Sequence, residues 1–76
     1  MIDPALIEKN QRESLRLSID DFKGRTLLSA RLWFKPGDGG ELRPGKDGWA
    51  IAIDKLPKII TALQRLEADA RREGRI

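Results

Sequence analysis

From Ser14 to Asp20 apolar and polar residues alternate, with Leu15, Leu17 and Ile19 separated by Arg16 and Ser18. This is the period of a strand with one face on a core and the other in water, and it predicts strand one over 14–20. Lys23-Gly24 supplies a reversal. Arg25 to Lys35 then carries Leu27, Leu28, Ala30, Leu32, Trp33 and Phe34, which predicts a longer second strand. Pro36-Gly37-Asp38-Gly39-Gly40 has turn composition and leads to a short third strand at Glu41 to Arg43. Pro44-Gly45 and Asp47-Gly48 mark another reversal before a fourth strand, where Trp49, Ile51 and Ile53 share one face and Ala50 and Ala52 the other.

Beyond Ile53 the period changes. Leu56, Ile59, Ile60, Leu63, Leu66 and Ala70 recur at helical spacing until Gly74, with Asp54 as the expected N-cap and Glu67–Arg71 as an i,i+4 pair. Pro57 falls in the first turn, where its missing N–H costs little. Residues 1–13 show no clear period and are expected as a flexible N-terminal tail, although Asp3-Pro4 could begin a helical turn near Leu6 and Ile7. The expected fold class is α+β: a four-stranded, mostly antiparallel sheet followed by one C-terminal amphipathic helix, in a domain spanning 14–74. Such a sheet is about 15–20 Å wide, and one helix covers about 10–12 Å of it. The uncovered apolar surface, in a chain of only 76 residues, predicts a homodimer.

Charge and ring content sharpen this picture. The net charge is only +3, but residues 1–21 sum to −2, residues 22–46 to +4 and residues 47–76 to +1. The middle segment holds Lys23, Arg25, Arg31, Lys35, Arg43 and Lys46, and the four aromatics Phe22, Trp33, Phe34 and Trp49 fall within or beside it. Cations that track phosphates, interleaved with rings on which bases stack, point to a single-stranded nucleic-acid platform. With no Cys and no His, the chain lacks thiol chemistry and the usual general base and metal ligand. The adjacent Asp20 and Asp21 diverge in a strand and support a two-carboxylate site weakly. The glycine cluster at 37–40 lacks the Lys-Ser/Thr ending of a phosphate loop. We therefore expect no enzyme, cofactor or metal. No apolar run approaches a membrane span and the N-terminus lacks signal-peptide order, so a cytoplasmic location without a membrane partner is expected.

Individual residues carry less. Phe22-Lys23-Gly24-Arg25 would set a ring and two cations around a bend, and Arg43-Pro44-Gly45-Lys46 would present two cations on a rigid turn; each also reads as a solvated turn. Trp33 and Phe34 must face opposite ways in a regular strand. Parity places Trp33 with Arg31 and Phe34 with Leu28, Ala30 and Leu32, and a bulge between the two rings would reverse the assignment. Trp49, on the face of Ile51 and Ile53, is expected in the core.

DFKGRTLLSAR, then the WF pair, then ELRPGKDGWAI and the amphipathic helix together resemble the DNA-binding domain of the transcriptional coactivator positive cofactor four, especially its compact bacterial members, from about Ser14 to Leu66. The resemblance implies a curved sheet, a symmetric dimer, and a groove that binds single-stranded DNA with little sequence preference. It implies that Phe22 and Phe34 stack on bases, that Lys23 and Arg25 contact backbone, and that Arg31 and Arg43 are groove and turn cations, with Lys46 a compatible neighbour. Asp47 stands where relatives commonly carry a base. The implied partners are single-stranded DNA, with RNA as a second candidate, a second copy of the chain, and the transcription machinery if the process served is transcription regulation rather than other DNA metabolism. A duplex-binding regulator and a protein-interaction dimer are the alternative classes.

Overall fold

The computed structural model describes residues 2–76, so the first residue of the expected tail lies outside the described residues. Four antiparallel strands form one sheet in the order β1-β2-β3-β4: β1 (Ala5–Glu8), β2 (Glu13–Phe22), β3 (Arg25–Phe34) and β4 (Arg43–Ala52). A short 3-10 turn, Ile53–Lys55, leads into α1 (Leu56–Arg72). The sheet and single C-terminal helix agree with the sequence, but two of the four strands differ from expectation.

Ala5–Glu8, inside the stretch expected as a tail, pairs with β2 through Ala5↔Leu17 and Ile7↔Leu15. The alternation there is masked because Leu6, on the opposite face, is also apolar. The helical turn expected around Leu6 and Ile7 is therefore a strand. The second difference is β4. The short strand at 41–43, the reversal at 44–48 and the last strand merge into one ten-residue strand. Pro44 is tolerated because β4 is an edge strand, where a missing N–H need not break a ladder. The Pro-Gly and Asp-Gly signals mark a bulge: Gly48 pairs with Arg31 and Pro44 with Trp33, so residues 45–47 stand against Leu32 alone.

The central hairpin turns through Lys23 (φ 52°) and Gly24 (φ 77°), the two left-handed residues that a tight hairpin requires. From Glu13↔Phe34 to Phe22↔Arg25 its ladder is unbroken. Strand parity therefore separates two faces. Leu15, Leu17 and Ile19 on β2 stand opposite Leu32, Ala30 and Leu28 on β3, and Trp49 and Ile51 continue this apolar face on β4.

The apolar face has little cover. Among the described residues only Leu28 (8% exposed) and Ala30 (3%) are buried, and Trp49 is 52% exposed instead of lying in a core. The helix does not close over the sheet; its contacts are chiefly with the 3-10 turn. Its N-cap is Lys55, not Asp54, which lies within the 3-10 turn. Its C-terminus ends in a Schellman motif, with Arg75 N donating to Ala70 O (2.8 Å) and Gly74 N to Arg71 O (3.0 Å) around left-handed Gly74. The expected Glu67–Arg71 pair forms at 3.2 Å. Ile60, Leu63 and Leu66 stay exposed. The radius of gyration is 14.8 Å, against about 11 Å for a compact domain of this length.

Candidate nucleic-acid interface

The other face of the sheet is polar and uncovered. β2 contributes Ser14, Arg16, Ser18, Asp20 and Phe22; β3 contributes Arg25, Leu27, Ser29, Arg31 and Trp33. Phe22 and Arg25 are direct cross-strand partners at the hairpin end, and Lys23 in the turn lies with its Nζ 5.4 Å from the Phe22 ring centroid. Phe22 itself is exposed. The fold thus joins Phe22, Lys23 and Arg25 into one cluster: a tight turn raises the lysine beside a ring that has no core to enter.

Six to eight residues further along β3 from Arg25, about 20–26 Å of strand, a second cluster forms around Arg31 and Trp33. Arg31 stands directly opposite Arg16. Like charges in that position repel, and each guanidinium has a different local partner. Arg31 Nη1 donates to the carbonyl oxygen of Gly45 at 3.0 Å, lying over Gly48, where an added Cβ would come within 3.1 Å of the guanidinium carbon. Arg16 reaches diagonally to Trp33, its guanidinium carbon 4.7 Å from the ring centroid. Arg16, Ser18, Asp20, Ser29, Arg31, Trp33 and Pro44 together line a shallow depression of about 180 Å³. Its floor is low because Ser18 and Ser29 are paired across the strands.

The remaining candidates are Phe34, Arg43 and Lys46. Phe34 pairs with Glu13 and Arg43, on the parity of Leu32 and Ala30. The bulge that would bring it to the polar face is absent from β3; the register shift is in β4. Arg43 shares the Phe34 position, and Lys46 sits in the bulge. In the sequence Arg16 registers only as one polar member of an alternating strand. Its cross-strand position opposite Arg31 required the register. Asp20, whose carboxylate accepts a 2.9 Å hydrogen bond from Ser18 Oγ, and Glu8, on the same parity of β1, place acids on this face. Asp21 points the other way and accepts from Thr26 Oγ1 at 2.7 Å, so the two adjacent carboxylates do diverge. No cluster of three or more potential metal-ligating side chains occurs among the described residues.

Comparison with known proteins accords with this fold. A Neurospora crassa protein named "Putative RNA polymerase II transcriptional coactivator" is 30% identical over 59 residues, covering 78% of this chain; the chain spans about a third (33%) of that relative's length. Among solved structures, a PC4 homologue from Burkholderia pseudomallei superposes with a TM-score of 0.74 at 25% identity, covering 83% of this chain and 84% of its own. MoSub1, crystallised with single-stranded DNA, superposes with a TM-score of 0.64 at 25% identity, covering 93% of this chain and 81% of its own. Residues 9–62 match the family described as Transcriptional Coactivator p15 (PC4), and the chain belongs to that family.

Proposed function

We propose that this chain binds single-stranded DNA, with little sequence preference, as a non-enzymatic homodimer acting in transcription regulation or other DNA metabolism. The observation that carries the reading is the uncovered polar face, on which Phe22, Lys23 and Arg25 at one end and Arg16, Arg31 and Trp33 at the other alternate rings with cations. Rings stack on any base, and cations follow the phosphates, so the arrangement suits a flexible strand whose bases are free. The solved complex of the related MoSub1 with single-stranded DNA supports the same ligand. The helix favours a duplex reader less, because its apolar stripe is still unpartnered and calls for another protein surface. Arg43 and Lys46 add positive charge beside and within the β4 bulge.

Fluorescence anisotropy of equal-length single-stranded and duplex oligonucleotides, titrated at two salt concentrations, tests this reading. A salt-sensitive preference for the single strand is expected. Absence of binding to either at low salt overturns the reading and leaves an acidic protein as the partner of this face.

A further inference from the structure

Trp33 is the ring of the second cluster, yet the Arg16 guanidinium covers it at 4.7 Å. Both side chains are half-buried as a result. A base can stack on that side of Trp33 only after Arg16 has moved. The covering contact is weak in kind: a cation–π pair still partly open to water is worth less than a base stacked on an aromatic ring. Arg16 is also held beside Arg31, its direct cross-strand neighbour, whose own charge is tied to the Gly45 carbonyl. Two guanidinium groups side by side on an open face repel each other and attract a phosphate between them.

We propose that Arg16 is a displaceable cover for Trp33: an incoming base takes its place on the ring, and the guanidinium swings onto the strand's backbone phosphate beside Arg31. The inference rests on the single-stranded DNA reading and adds to it a positioning role for a residue that periodicity alone leaves anonymous. The exchange conserves the cation's partnership. Arg16 leaves a ring quadrupole for a full negative charge, and Trp33 leaves a guanidinium for a base. It also means that the second cluster is closed when empty and opens only to a ligand that brings a base and a phosphate together. A bare polyanion would engage the cations without reaching the ring.

The chain has two tryptophans, Trp33 and Trp49, which sit on opposite faces. In Trp49→Phe, Trp33 is the sole emitter. Its fluorescence is expected to be quenched by an oligothymidylate and unchanged by an abasic sugar-phosphate strand of the same length, with anisotropy measuring binding of both. In Arg16→Ala the ring is exposed from the start. Iodide or acrylamide should then quench free Trp33 more strongly, and the slope of log K against log salt should fall by about 0.7, the contribution of one phosphate contact to a single strand. Arg16→Lys should restore the slope. Should Trp49→Phe fold poorly, the two indole N–H resonances of the native chain, assigned with Trp33→Phe, give the same readout. Strand binding by anisotropy with no response at Trp33, or a salt slope untouched by Arg16→Ala, overturns the proposal and leaves the DNA reading standing. No binding of either strand overturns both.

Discussion

Asp20 is the residue whose charge opposes its surroundings most directly. It stands on the polar face between the two cationic clusters, held by Ser18 Oγ at 2.9 Å. A strand crossing that face passes a fixed carboxylate, so Asp20→Asn is expected to tighten single-stranded DNA binding severalfold at low salt and to lose that advantage as screening rises. Anisotropy at two salt concentrations checks it, and weaker binding would move the path off this face. The two adjacent rings give a sharper choice. Trp33→Ala should cost about 1–3 kcal/mol of affinity, the typical loss for one stacked base, while Phe34→Ala should leave affinity nearly unchanged. The reverse result would mean that the groove follows the family resemblance and not the strand parity seen here. Glu13 offers a test of the β1–β2 loop. The hydrogen bond from Asn10 Nδ2 (3.2 Å), and then the Lys9 ammonium (3.4 Å), hold its carboxyl below the ordinary carboxylate range. A lowered folded-state pKa stabilises the loop above the unfolded-state value and is lost as pH falls through the folded one. Asn10→Ala should return the Glu13 titration, followed by NMR, toward its ordinary value.

At the scale of elements, β4 shows what the sequence conveys and what it withholds. Gly48 sits where an added Cβ would meet Ala30 O at 2.8 Å and the Arg31 side chain at 3.1 Å. Gly48→Ala should therefore cost about 1–3 kcal/mol, as overpacking does, and should weaken DNA binding by displacing Arg31; thermal melts and anisotropy measure the two effects. A melting temperature unchanged by Gly48→Ala would show that β3 and β4 have room to part. From sequence alone, the glycines and Pro44 read as a reversal, because turn dihedrals and close backbone approach call for the same residue types. Only the register against β3 separates a turn from a bulged edge strand. β1 was hidden for another reason: four residues with apolar side chains on both faces carry no period. By contrast, β2, β3 and the helix were legible because long alternating or helical patterns leave little choice of face. The same parity that made them legible placed Trp33 beside Arg31, and it could not reveal Arg16, whose role depends on which residue of β2 lies across from it.

The whole molecule leaves much of its apolar surface uncovered in one chain. The sheet has an apolar face with two buried residues, and the helix stands away from it with Leu63 59% exposed and Leu66 53% exposed. Each such half-exposed leucine removed from water on association would contribute about 1–1.5 kcal/mol, so Ile60, Leu63 and Leu66 from two chains, together with Trp49 and its neighbours, offer a substantial driving force. A second copy is the simplest surface with matching chemistry, because a symmetric pairing buries both stripes with a single interface. This partnership would leave the polar faces open to DNA. Leu63→Asp, which places a charge in the stripe without touching the polar face, should convert the dimer to a monomer in sedimentation equilibrium and lower its melting temperature. The native chain's melting temperature should rise with concentration, as mass action requires when folding and association are linked. A native chain that sediments as a monomer and melts independently of concentration would show that the apolar stripe awaits a different protein. A monomeric Leu63→Asp chain that still binds a short oligonucleotide would show that one polar face is a complete site and that dimerisation serves stability.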